Sequence, residues 1–260
     1  MWLLNPYRFA AAYTPTDANA AAYIAAVEAA DGQTLEAGVR QAIDTFVIGC
    51  KTDGTWNAIK ASCILSGART LAGALVPLVG TAPTRFGTAG GWSYDRKTGL
   101  QGNGTNNYLN SNRNNNADPQ NSNHNAVYAT QIGSAGAYMA VRGAAGSDTG
   151  VNAMGIGPFF RNRTATASSH TSTATGLLAH ARSSSSSYTV RFAGSNTSVA
   201  SNSETPLAIN LFIFARNTNG TPEFYTNARL AFYSIGESLD LALLDARVTA
   251  LVAAFAAAIP

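Results

Sequence analysis

The sequence predicts a mainly β protein with an α-helical N-terminal unit and a helix that closes the chain. Three observations carry this. Between Gly99 and Arg216, runs of four to eight residues bounded by Gly, Asn or Ser recur every 10 to 20 residues, the spacing of an all-β region. Ahead of them, apolar residues recur at helical intervals, and behind them Arg229-Leu-Ala-Phe-Tyr-Ser-Ile-Gly236 runs straight into an amphipathic stretch. With 260 residues the chain is long enough for two units, since a full core needs only about 100 to 150 residues. We expect a helical unit over 1–79, a linker over 80–98, and a β domain with its closing helix over 99–260.

Trp2, Leu3, Leu4, Tyr7 and Phe9 form an apolar arm at the start, without the leading positive charges of a secretion signal. Thr14-Pro-Thr-Asp17 then reads as a helix start. Thr14 is placed to cap, Pro15 suits the first turn, and Asp17 lies near the positive helix end. Tyr23, Ile24 and Val27 give this helix its apolar stripe, and Asp31-Gly32 ends it after Ala30. Thr34 starts a second helix that runs to Gly49, with Leu35, Val39, Ile43, Phe46 and Val47 on one face. Glu36, Arg40 and Asp44 fall on its wet side. A third helix is expected over Thr55–Leu65, burying Trp56, Ile59, Cys63 and Ile64. Cys50 and Cys63 are the only cysteines, have no CxxC pairing or matching histidines, and read as two buried thiols.

From Gly67 to Gly99 the pattern dissolves into Gly, Pro and Thr. Ala74-Leu-Val-Pro-Leu-Val79 reads as one extended segment, and Pro77 and Pro83 mark an edge or a stiff crossover. Strands are then expected at Asn125–Gln131, Ala137–Arg142, Val151–Phe160, Gly176–Arg182, Tyr188–Ala193 and Ile209–Arg216. Leu211-Phe-Ile-Phe214 has the unbroken apolarity of a strand covered on both faces, and Met139, Met154, Phe159 and Phe160 read as core. Ser183–Ser187 reads as a surface loop. In the last strand Leu230 and Phe232 alternate with Arg229, Ala231 and Tyr233. Ser238 is expected to cap the final helix, whose Leu241, Leu244, Val248, Leu251 and Phe255 form one stripe. Asp245 and Arg247 interrupt that helix, so no membrane insertion is expected.

The chemistry is defined by scarcity of charge. Only 12% of residues are charged, against roughly 25% in an average soluble domain, and the formal charge of +3 comes with no Lys/Arg-rich block; no nucleic-acid partner is expected. Between Arg96 and Ser203 the only acids are Asp118 and Asp148. Glycoside hydrolysis needs two facing carboxylates, so it would depend on one of these meeting another acid in space. His124, His170 and His180 lack a second ligand at metal-binding spacing. There is no Gly-x-Ser-x-Gly elbow, and Gly102-Asn-Gly104 lacks the lysine and following helix of a phosphate loop. No catalytic residue, cofactor or metal site is expected.

Asn103–Asn125 holds eleven asparagines together with Arg113, Asp118 and His124. An Asn side chain offers two donors and an acceptor without the desolvation cost of a charge, which suits sugar hydroxyls. The same residues also serve as turn formers that tie a loop to its own backbone. Trp92, in a Gly-rich loop, fits a sugar-stacking ring or a plug beneath that loop. The sequence-level glycan contacts are therefore Trp92, Arg113, Asp118 and His124.

Gly99-Leu-Gln-Gly-Asn-Gly-Thr-Asn-Asn-Tyr-Leu109 resembles the opening strand of laminin-G-like and concanavalin-A-like jelly-roll β-sandwiches. Arg229–Ile235 with the helix from Ser238 is similar to the way such modules end in tailed-bacteriophage proteins. Ala30–Glu36, Gly49–Ile59 and Gly67–Pro77 resemble the helical leaders that precede this sandwich in phage virion proteins. The resemblance implies a nonenzymatic virion component, assembled in the host cytoplasm with other virion proteins as a homo-oligomer, a trimer being favoured. Three roles stay open. The chain is a tail-fibre or adhesin-type protein touching a host surface glycan, a capsid decoration or head-fibre protein anchored by Trp2, Leu3, Leu4, Tyr7 and Phe9, or a polysaccharide hydrolase. Enzymatic members of the wider superfamily carry clustered acids that this sequence lacks.

Overall fold

Asp17, and not Thr14, begins the first helix of the computed structural model, which describes residues 13–144, 152–155, 159–169 and 174–260. The arm residues Trp2, Leu3, Leu4, Tyr7 and Phe9, together with Asp148 and His170, lie outside the described residues. The Asp17 carboxylate accepts from the amides of Asn19 and Ala20 at the start of α1 (Ala18–Asp31), and Gly32 ends that helix at φ 67°, where a residue without a Cβ is favoured. Helix α2 (Ala37–Thr52) follows from Glu36 without a side-chain cap. Asp44, expected on its wet side, is fully buried. Its carboxylate accepts from the amides of Thr16 and Asp17 and the hydroxyls of Thr16 and Tyr13, so α2 fixes the start of α1.

The expected third helix is a correction. Trp56–Ala58 is a single 3-10 turn with Trp56 only half-buried, and Ile59–Ile64 is strand β1. Its burial is nearly continuous because it lies inside a sheet, one face toward the helices and the other toward a second sheet. A strand covered on both sides loses the alternation that would distinguish it from a helix. Leu71–Ala74 is a short helix, α3, capped by Thr70, so only Pro77–Val79 of the expected extended segment is a strand, β2.

The remaining strands, in chain order, are β3 (Thr84–Phe86), β4 (Ser93–Asp95), β5 (Gly99–Gln101), β6 (Tyr108–Asn114), β7 (Asn123–Gln131), β8 (Ala137–Arg142), β9 (Asn152–Gly155), β10 (Phe159–Asn162) and β11 (Ser168–Ser169). They continue with β12 (Gly176–Arg182), β13 (Ser187–Phe192), β14 (Ser195–Ala200), β15 (Asn210–Ile213), β16 (Arg216–Thr218), β17 (Thr221–Glu223) and β18 (Arg229–Gly236), and helix α4 (Leu241–Ala258) closes the chain. Asp240, not Ser238, caps α4.

Among the described residues these strands form two nine-stranded sheets. The first runs β14-β13-β12-β7-β18-β1-β2, and the second runs β11-β10-β9-β8-β15-β6-β3. Pairing is antiparallel except between β16 and β8. The protein is thus a β-sandwich with helices on one face, in three layers. Val127, Leu178, Ile213, Tyr233 and Phe160 belong to the core between the sheets. The other face of the first sheet meets α1, α2 and α4, where Phe46 packs edge-on to Phe232 at 5.8 Å. Each such aromatic or branched side chain contributes about 1.5–3 kcal/mol on burial.

Ion pairs tie the layers across long sequence distances. Arg96, just before β5, grips Glu36 with its two terminal guanidinium nitrogens at 2.6 and 3.0 Å, Arg191 of β13 meets Asp245 of α4, and Arg247 of α4 meets Asp53 at the end of α2. By length and a mean hydropathy of 1.8, α4 matches a membrane span. Its Leu241, Leu244, Val248, Leu251 and Phe255 are nonetheless buried in the core beneath the helices, as the sequence stripe predicts.

Candidate functional site

Among the described residues no helix packs on the outer face of the second sheet, and Phe86, Tyr108 and Phe212 gather there. Residues alternate between faces along a strand. In β6, Leu109 and Ser111 are buried, which leaves Tyr108 and Asn110 on the outer face. Antiparallel pairing sets Phe86 of β3 opposite Tyr108, Thr84 opposite Asn110, and Phe212 of β15 opposite Asn110 on the other side.

The result is a stack of rings. Phe86 lies parallel to Tyr108 at 4.9 Å and 6°, and Tyr108 leans on Phe212 at 4.6 Å and 33°. Tyr225 stands 6.2 Å from Tyr108. Phe212 is 5% exposed, whereas Phe86 is 40% exposed, so the ladder has a fixed base and an open top. Burial, with Tyr225 nearby, raises the Tyr108 phenol above its usual range and keeps it neutral.

Polar groups border the rings about 7 Å along the strands, two residues away. Asn112 is held at φ 56°, a conformation Asn tolerates better than most residues. Its amide nitrogen donates to the Ala82 carbonyl at 2.8 Å and the Thr84 hydroxyl at 2.9 Å, and its backbone amide donates to the Asn110 side chain. These bonds fasten the edge strand β3 to β6 and so hold Phe86 over Tyr108. At the other margin, exposed Phe224 stacks on the Arg216 guanidinium at 4.0 Å. Arg216 and the Thr218 hydroxyl both donate to Glu223, and with Arg216 foremost they hold its carboxyl below the usual range.

The residues named from sequence are dispersed. Trp92 is half-buried, edge-on to Phe214 at 5.5 Å, and packs on the core between the sheets; it fills the role of a plug. Arg113 and Asp118 are spent on each other, with contacts of 2.5 and 3.1 Å, and the Asp118 side chain is 3% exposed. His124 is fully buried. It donates from Nδ1 to the Glu237 carbonyl at 2.6 Å and accepts at Nε2 from the Ser234 hydroxyl at 2.7 Å, and burial lowers its pKa to about 4. As a neutral pin between β7 and the end of β18 it has no surface with which to touch a sugar. Several of the asparagines serve backbone: Asn103 accepts from the amides of Thr105, Asn106 and Asn107, Asn107 donates to the Thr88 carbonyl, and Asn110 accepts from the Asn112 amide.

Two buried arginines were not foreseen. Arg182 donates to the carbonyls of Asn162, Ser184, Ser187 and Ser201, which knots the serine loop to the sandwich. Arg163, at φ 51°, donates to the carbonyls of Pro119 and Asn115, and burial lowers its pKa to about 10. Among the described residues no group of three His, Cys, Asp or Glu side chains is placed to hold a metal ion. The described carboxylates are largely committed to cations, caps or turns, as Asp17, Glu28, Glu36, Asp53, Asp118, Glu223, Glu237 and Asp245 are to Lys or Arg.

The fold is a two-sheet sandwich backed by helices, and its aromatic ladder leaves the Phe86 ring exposed. No family model and no curated protein matches the chain. Solved structures with partial likeness include a mutant of the NanB sialidase from Streptococcus pneumoniae, at 14% identity and TM-score 0.38, over 49% of this chain and 24% of that one. Domain 4 of AbnA, a GH43 extracellular arabinanase from Geobacillus stearothermophilus in complex with arabinotriose, is 14% identical at TM-score 0.34, over 64% and 82%. A mutant Trypanosoma rangeli sialidase displaying trans-sialidase activity is 11% identical at TM-score 0.37, over 82% and 39%. The chain thus spans about a quarter of the length of the NanB sialidase.

Proposed function

We propose that this chain is a nonenzymatic glycan-binding protein of a phage particle, whose sandwich presents the Phe86–Tyr108 ladder to a host surface sugar. The observation that carries the binding half is the exposed Phe86 ring, held flat on Tyr108 and bordered by Thr84, Asn110 and Asn112. An aromatic face accepts the apolar face of a pyranose, and nearby amides and hydroxyls meet its hydroxyl groups without a charge to desolvate. The binding surface is open and shallow, which suits one or two sugar residues bound weakly and strengthened by several copies. The commitment of the described carboxylates to cations, caps and turns favours holding a sugar over hydrolysing it. The particle assignment rests on the resemblance of the helical leader.

A multivalent form of the protein applied to a glycan array and to host cells tests this reading. Retention on a defined sugar class, lost in Phe86→Ala, is expected. Silence at high valency on both supports contradicts it.

A second reading, a capsid decoration or head-fibre protein, draws on the outer face of α4, where Leu243 is 39% exposed and Ala246, Ala250, Ala253 and Ala257 lie open. Locating the protein in images of the intact particle separates the two, a tail or fibre position favouring adhesion and a repeating capsid position favouring decoration.

A further inference from the structure

We propose that two copies of this chain join along β14, pairing antiparallel across a two-fold axis so that the first sheet continues from one copy into the other. The proposal does not depend on the ladder, which lies on the other sheet.

The sheet edges differ sharply in how they are protected. The second sheet ends in β11, two residues long, and β3, three residues long. The far end of the first sheet is β2, three residues beginning with Pro77, which has no amide to donate. β14 is six residues long and paired without a bulge from Ser195 opposite Phe192 to Ala200 opposite Ser187. Its ladder continues beyond the strand, since the amides of Ser201 and Ser203 donate to the carbonyls of Ser186 and Ser185. Among the described residues β14 has a neighbouring strand on one side only. Five of its six residues are exposed, Val199 being the exception.

Natural edges of this length are blunted by lysine, proline, a bulge, or a covering loop. From Phe192 to Ser203 the sequence has no charge and no proline. The hairpin that presents the strand is rigid: Ala193 and Gly194 both take positive φ, 49° and 75°, the geometry that matches strand twist in a two-residue turn. An outer row of amides and carbonyls is therefore held extended, in register and without a repelling group. Its complement is another extended strand of neutral, small residues.

A second copy supplies that strand. In an isologous antiparallel pair centred on Ser198, Ser198 meets Ser198, Thr197 meets Val199, and Asn196 meets Ala200 of the other copy. No like charges are brought together and no bulky groups oppose each other. Such a contact closes after two copies, so the assembly it builds has even numbers and differs from the three-fold one expected from sequence.

Sedimentation velocity over a range of protein concentrations tests it. The wild-type chain is expected to dimerise reversibly, and S198K/A200K, which sets lysines across the axis, is expected to weaken the dimer by about tenfold or more with an unchanged circular dichroism spectrum. Hydrogen exchange supplies a readout that needs no variant: the amides of β14 become slower to exchange as protein concentration rises. A chain that stays monomeric to its solubility limit overturns the proposal. So does a dimer that S198K/A200K leaves intact, or one in which β14 exchange is independent of concentration.

Discussion

Phe86 and Tyr108 face each other across the β3–β6 ladder with their rings 4.9 Å apart and almost parallel, and only Phe86 keeps its outer face in solvent. Tyr108 is clamped between Phe86 and Phe212, so the two residues of one stack carry different loads. Tyr108→Ala removes the middle ring and is expected to cost about 2 kcal/mol of stability, while Phe86→Ala costs less than about 1 kcal/mol. Urea unfolding of the two variants measures this. Equal losses would mean that Phe86 is a core residue and not a presented one.

Asp44 is the clearest polar support of the helical layer. Burial works to raise its carboxyl pKa, but bonds from Thr16, Tyr13 and Asp17 outweigh it and the pKa lies below the usual value. A carboxyl depressed in the folded state stabilises above its unfolded pKa and loses that contribution as pH falls through the folded one. Asp44→Ala is expected to cost about 2 kcal/mol at neutral pH, with the gap to wild type narrowing below about pH 4. A gap that does not change with pH would show that the carboxylate charge is not what holds α1.

The two buried histidines set an acid limit. Burial lowers His124 to about 4 and His180 to about 3. The unfolded chain therefore binds protons first. Stability is full above about pH 6.5 and is lost as pH falls from there toward the folded values, by up to about 1.4 kcal/mol per histidine per pH unit. Thermal unfolding from pH 7 to pH 4 checks the trend, and His124→Gln is expected to flatten it. A melting temperature that rises on acidification would contradict the burial of these rings.

Cys50 and Cys63 are free and buried, and burial pushes their thiols up to about 11 and about 12. A thiolate is the reactive form. Both are expected to resist a disulfide reagent at neutral pH in the native protein and to react completely in denaturant. Rapid native labelling of Cys63 would mean that β1 and β18 separate readily, since Cys63 donates to Tyr233 across them.

What was legible in the sequence was whatever a single element declares by itself. The stripe Leu241, Leu244, Val248, Leu251 and Phe255 is buried as a set, and the strand before it, Arg229–Gly236, ends at its glycine. β1 was misread because Trp56, Ile59, Cys63 and Ile64 have helical spacing, while a strand buried on both faces leaves no alternation to oppose it. The polar neighbours of His124 make it a candidate sugar contact in the sequence; its burial follows from Ser234 and Glu237, more than a hundred positions away. The ladder was missed for the same reason. Phe86, Tyr108, Phe212 and Tyr225 have no common spacing, and only strand pairing assembles them. One local signal existed: Phe86 is an aromatic residue in a short polar strand between Pro83 and Gly87, a place where burial is difficult.

The sugar contact proposed for this protein is the exposed ring of Phe86. The direct measurement is the affinity of wild-type protein and Phe86→Ala for the oligosaccharide retained best on the array, by calorimetric titration of folded protein. A loss of about tenfold or more, near 1.4 kcal/mol, with unfolding midpoints that stay close, is the predicted result. Equal affinity of the two proteins would contradict it.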